Sequence, residues 1–113
     1  MVVAVKVLRA SMAELSELTA EFDHEVEFMS KIRHANLITF FGAGRTAAGA
    51  PFLVLEWAPR GSLRAVLADS TIPLPAAMQD KFALDTCRGM AFLHSKARAH
   101  RDLKVCPPTY VEV

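Results

Sequence analysis

The amino-acid sequence predicts an α+β fold, a small antiparallel sheet with helices around it, and three observations predict it. The first is a run rich in β-branched residues, Val2-Val3-Ala4-Val5-Lys6-Val7-Leu8-Arg9. The second is a pair of apolar runs, Leu37 to Ala43 and Pro51 to Trp57, on either side of Gly44-Arg45-Thr46-Ala47-Ala48-Gly49, the pattern of a hairpin. The third is a pair of longer segments whose apolar residues return every three or four positions, as on one face of a helix. The 113 residues suffice for one domain with a core, though not for two full lobes with a cleft between them.

In the first strand, alternation puts Val3, Val5 and Val7 on one face and Ala4, Lys6 and Leu8 on the other, so a lone lysine projects from an apolar surface and needs a partner. Ser11 and Glu14 have capping-box spacing, and Leu15, Leu18, Phe22, Val26, Met29 and Ile32 then mark a helix, with a break expected near Thr19. Glu25 falls between Phe22 and Met29, on the flank of the buried stripe, where it can face the sheet and meet Lys6. The two runs of the hairpin are almost continuously apolar, which predicts burial on both faces, and its tip reads as floppy.

After Trp57, Pro59 removes a backbone donor and Gly61 loosens the chain, so Ala58 to Gly61 is a connector. A short helix follows from Ser62. Beyond Pro73 and Pro75 a long helix is predicted from Ala76 to Ser95, with Met78, Phe82, Met90 and Leu93 on its buried side. Ala83, Cys87 and Gly89 give close approach to a neighbour. Arg98 to Lys104 is loop. Val105 to Val113, with Pro107 and Pro108 adjacent, is an extended tail.

Net charge is +1, with 52% hydrophobic and 22% charged residues; that balance carries no bias toward nucleic acid or an anionic membrane. No run of about eighteen apolar residues exists to span a membrane. Cys87 and Cys106 lack CxxC spacing and a secretory signal, which favours free thiols and a cytoplasmic, reducing compartment; Cys87 reads as core. His34 reads as a hydrogen-bonding residue in the turn after the first helix, because no second ligand stands at metal spacing. His24 and His94 read the same way, so no metal site is expected.

The residues that carry chemistry are His100-Arg101-Asp102-Leu103-Lys104. They put a carboxylate between cations on a loop after a helix, where it can accept a proton from an alcohol. Alone, that is three polar residues on a turn. In order along the chain, however, stand Val3-Ala4-Val5-Lys6, the helix with Glu25, Arg33-His34-Ala35-Asn36-Leu37, the hairpin, the glycine-containing connector, the long helix and the loop with Asp102. This series resembles a eukaryotic protein kinase over residues 2 to 104. Gly61-Ser62-Leu63-Arg64, Cys87 to Ser95 and Lys104 are similar to the tyrosine-kinase-like branch of the Ser/Thr kinases.

The resemblance implies a partial kinase-like fold: a three-stranded antiparallel remnant of the N-lobe sheet, the regulatory helix, the hinge and the first C-lobe helices. It divides the chain into a partial kinase domain over residues 1–104 and a divergent tail over residues 105–113. Within that domain the N-lobe takes residues 1–56, the hinge residues 57–61 and the start of the C-lobe residues 62–104. It implies that Lys6 holds the phosphates of ATP, that Glu25 orients Lys6, and that Ala4 lies against the adenine. Leu55 aligns with the gatekeeper, Glu56 through Ala58 with the hinge that binds the adenine edge. Met29, Phe40 and His100 align with a packed spine. Asp102 positions the substrate hydroxyl and takes its proton.

The implied activity is ATP-dependent phosphorylation of Ser or Thr side chains of a protein substrate, with Mg²⁺. The Gly-rich loop and Asp-Phe-Gly segment of the family are not among these residues, and the metal-binding loop asparagine would fall at Pro107. Ala65 stands where many relatives carry a polar residue near the ribose. The expectation is therefore a truncated and inactive fragment of a kinase. The alternative is a non-catalytic, pseudokinase-like fragment that binds a partner kinase. Without further C-lobe helices, Met78, Phe82, Met90 and Leu93 are expected to be exposed.

Overall fold

The structure, a computed structural model, describes residues 1–8, 12–97 and 111–112, with backbone alone at 12–18, 21 and 111–112. Strand β1 (Val3–Val7) is followed by helix α1 (Met12–Lys31), strands β2 (Phe40–Arg45) and β3 (Pro51–Glu56), helices α2 (Leu63–Ala68) and α3 (Ala76–Ser95), and strand β4 (Val111–Glu112). The chain falls into two compact units. The first comprises Met1–Arg33, Ile38–Trp57 and Thr109–Val113; the second comprises His34–Leu37 and Ala58–Pro108.

The first unit is an antiparallel sheet in the order β2-β3-β1-β4, against which α1 lies through β2. The expected three strands are there, and β4 adds a two-residue edge within the tail. Val-rich β1 suits a pleated, half-buried surface; Ala4 on it is 6% exposed. α1 runs through Thr19 without a break. Ser11 lies outside the described residues, so its capping role does too.

Two expectations for the hairpin are corrected. β2 is not buried on both faces: its residues alternate between half-buried and exposed, and Phe41 is 47% exposed. Phe41 stands at a register shift between Phe40 and Gly42, a bulge that leaves it without an opposite residue. The tip is not loose either. Thr46 N–H donates to the Ala50 carbonyl, Gly49 N–H to the Thr46 carbonyl, both at 2.8 Å, and Ala50 N–H to Thr46 Oγ1 at 3.1 Å. Gly49 makes that turn at φ +85°, where a side chain would strain.

The second unit is helical. Ser62, in extended conformation, caps α2 by accepting from Ala65 N–H, the ordinary role of a serine there. α3 has the predicted bounds and starts after Pro75, whose carbonyl accepts from Met78 and Gln79. It ends where Lys96 and Ala97 return to the carbonyls of Leu93 and His94.

The buried line of α3 differs from the expected one. Leu93 (8% exposed) and Gly89 are buried, Phe82 and Met90 half-buried, and Met78 is 38% exposed. Leu93 is thus covered without further helices. Cys87 and Ala83 are exposed, so Cys87 is not core; close approach falls to Gly89 alone of the three small residues. A Cβ on Gly89 would stand 2.8 Å from the Asn36 carbonyl oxygen and 3.4 Å from Leu37 Cδ2. His34, beside this contact, has the predicted structural role: its Nδ1 accepts from Asn36 N–H at 3.0 Å, and its ring lies 4.9 Å from that of Phe92.

Candidate functional site

The candidate site in the first unit follows from strand register. Directly opposed residues of an antiparallel pair share a face of the sheet. Ala4 opposes Leu55, and Leu55 opposes Phe40; in the next row Lys6 opposes Leu53, and Leu53 opposes Ala43. Ala4, Lys6, Leu55 and Phe40 therefore lie on one face. The bulge at Phe41 is what puts Phe40 and Ala43, an odd number of residues apart, on the same side. A half-buried lysine two residues from a buried alanine can present a cation to an anionic group.

Glu25 is exposed on α1, and Met29 is half-buried one turn further on. The helix is held to the hairpin by Arg45. Its guanidinium lies 5.9 Å from the Phe22 ring centre, 3.5 Å from Thr19 Oγ1 and 3.4 Å from the Gly49 carbonyl. Sequence pattern assigns Arg45 no role; a cation at the end of a strand facing an aromatic residue on a helix is the available signal.

Glu56 is exposed and locked to the start of the hairpin. Its N–H donates to the Thr39 carbonyl at 2.8 Å, and Thr39 N–H donates to its Oε2 at 3.0 Å. The carboxylate is therefore a clamp on Thr39, which periodicity could not reveal. In the second unit Ala58 is exposed, and its carbonyl accepts from Gly61 N–H at 2.9 Å, closing a turn in which Gly61 has φ +70°. Asp102, His100, Arg101, Lys104 and Pro107 lie outside the described residues.

The shifted titrations sit elsewhere. The Lys81 ammonium bonded to Asp85 holds that carboxyl below its usual range, with Arg88 adding attraction at 3.9 Å. Lys31 does the same for Glu27, and the Thr71 hydroxyl and amide for Asp69. A cavity of about 360 Å³ lies within the second unit, between Leu63, Ile72, Met78 and Phe82. None of the predicted nucleotide-binding residues lines it.

The face with Ala4 and Lys6 offers one cation, that of Lys6, beside a small buried residue. A divalent metal does not find its ligands among the described residues, where no three His, Cys, Asp or Glu side chains gather. No helix among them is long and apolar enough to cross a membrane.

Comparison with known proteins bears on the whole arrangement. A family model described as protein tyrosine and serine/threonine kinase matches residues 1–105. U-box domain-containing protein 52 of Arabidopsis thaliana is 42% identical over 106 residues, 89% of this chain and 12% of that protein. Serine/threonine-protein kinase STY46 of the same plant is 39% identical over 104 residues, 90% of this chain and 17% of the relative. Dual specificity protein kinase shkC of Dictyostelium discoideum is 38% identical over 104 residues, again 90% of this chain and 20% of the relative. The chain spans a fifth or less of the length of these curated relatives.

Proposed function

The chain belongs to the protein tyrosine and serine/threonine kinase family, and from that premise we propose that it carries some of the machinery for transferring phosphate from ATP to Ser or Thr side chains of a protein. In this reading Lys6 binds the phosphates and Glu25 orients it. Ala4 and Leu55 border the adenine, and the backbone at Glu56 and Ala58 meets its edge. In a complete enzyme of the family Asp102 would orient the acceptor hydroxyl and take its proton. The observation that carries the reading is the family match at 1–105, which includes both the lysine strand and the loop with Asp102. The placement of Ala4, Lys6 and Leu55 on one face of the sheet supports it.

Phosphoryl transfer depends on positioning and on neutralising charge over the transferred group. Pro107 has no side-chain oxygen to hold a metal at the family's asparagine position. The reading is a chain that binds nucleotide through Lys6 without transferring phosphate, rather than a complete enzyme. A ligand that binds only the folded state raises its apparent stability. Millimolar ATP is expected to raise the melting temperature of the chain, and Lys6→Met to abolish the rise. No rise in the unaltered chain, or an equal rise in the variant, contradicts the nucleotide role.

A further inference from the structure

At the end of β3 a side chain stands in for its own backbone. Residues opposed in an antiparallel pair exchange hydrogen bonds at every second position, each N–H donating to the other's carbonyl. Leu8 N–H donates to the Pro51 carbonyl at 2.9 Å, so, counting along the register, Lys6 with Leu53 and Ala4 with Leu55 are the bonded pairs between β1 and β3. Glu56, opposite Val3, falls outside these pairs, and its N–H and C=O turn away from β1 toward Thr39. There one bond is the ladder's own: Glu56 N–H donates to the Thr39 carbonyl at 2.8 Å. The return bond is not. Thr39 N–H donates to Glu56 Oε2 at 3.0 Å, where a ladder would use the Glu56 carbonyl. Alternation puts the Glu56 side chain on the opposite face of the sheet from Ala4 and Leu55, so the carboxylate does not stand among the residues assigned to the base.

We propose that Glu56 is a positioning residue for the nucleotide base: its carboxylate takes the Thr39 N–H and so releases the carbonyl of the same residue to accept from the amino group of adenine. The inference rests on the reading in which the backbone at Glu56 meets the adenine edge. A carboxylate suits the task because it accepts without donating, and a hydrogen bond to an ionised group is about twice as strong as a neutral one. A carbonyl held in a ladder is aimed at its partner strand, whereas a released one can be aimed at a ligand. The consequence is specificity. A site that accepts from a ligand N–H rejects the analogue lacking it. Hypoxanthine carries an oxygen where adenine carries its amino group, so in an inosine nucleotide two acceptors would face each other.

Dissociation constants for ATP and inosine triphosphate, followed by NMR titration, test the inference. The unaltered chain is expected to prefer ATP by about fivefold, the net worth of one hydrogen bond, and Glu56→Ala to erase that preference. Glu56→Gln, whose amide oxygen can accept from Thr39 N–H in the same place, is expected to keep it. A merely structural role would weaken both nucleotides alike and leave their ratio unmoved. A preference that survives Glu56→Ala, or that Glu56→Gln also loses, overturns the inference and leaves the reading beneath it standing; binding of neither nucleotide overturns both. A second measurement needs no nucleotide. In the unaltered chain the Thr39 amide nitrogen is expected to show scalar coupling across the hydrogen bond to the Glu56 side-chain carboxyl carbon, and in Glu56→Ala to the backbone carbonyl carbon of residue 56. Coupling to that backbone carbon in the unaltered chain overturns the inference, whatever ATP does.

Discussion

The two units hold their order by different means. In the first, position is set by backbone register: Ala4, Lys6, Leu55 and Phe40 share a face because β1, β3 and β2 are laddered. The side chains there are mostly half-buried. In the second, position is set by insertion, with Gly89 of α3 against the Asn36 carbonyl and Leu93 buried in the same helix. A ladder tolerates changes of side chain, whereas an inserted contact does not. The residues assigned to nucleotide binding on β1 and β3 thus stand on the more tolerant scaffold.

The largest effect that sharpens this contrast is at Leu93. Leu93→Ala is expected to destabilise the chain by about 2–5 kcal/mol, the loss of a buried leucine with its cavity, read as a lower urea midpoint. An equal midpoint would show that α3 is not seated through Leu93.

Next come the glycines of the two units. Gly89→Ala drives a Cβ to 2.8 Å from a backbone oxygen, which cannot move without its chain, and is expected to cost about 1–3 kcal/mol. Gly44→Ala meets the Phe52 ring at 2.7 Å, a side chain that can rotate, and is expected to cost less. Thermal unfolding of both variants compares them, and a larger loss at Gly44 reverses the contrast.

The smallest effect is that of pH. Glu27, Asp69 and Asp85 are held below their ordinary values of 4.5, 3.8 and 3.8 by Lys31, Thr71 and Lys81 respectively. A depressed carboxyl contributes stability above its unfolded value and loses it as pH falls through the folded one. Stability is therefore expected to decline slightly below about pH 4.5. Salt should weaken the ion-paired contributions of Glu27 and Asp85, whose partners are exposed. Unfolding followed from pH 6 to pH 3 at two ionic strengths measures it; greater stability at low pH contradicts the assignment.

Much of both units was legible because period and turn chemistry are local. Val3 to Val7, the hairpin flanks and Ala76–Ser95 each state their own structure, and the ordered motifs gave the family. What was not legible depends on a distant partner. The bulge at Phe41 comes from how β2 meets β3, and alternation broken by one residue reads in sequence as an unbroken apolar run. Cys87 and Met78 carry the apolar period of α3 yet are exposed, because period names a face without saying what covers it. Lys6 could be placed on the face of Ala4 from sequence alone, whereas the clamp of Glu56 on Thr39 and the hold of Arg45 on Phe22 required the fold.

The chain belongs to the protein kinase family, and the central proposal is that it binds nucleotide without transferring phosphate. It is tested most directly by radiolabelled phosphate transfer from ATP to a generic protein substrate, with Mg²⁺ and the purified 113-residue chain. The account predicts no transfer above background, and no difference between the chain and Asp102→Asn. Transfer that Asp102→Asn abolishes would contradict it.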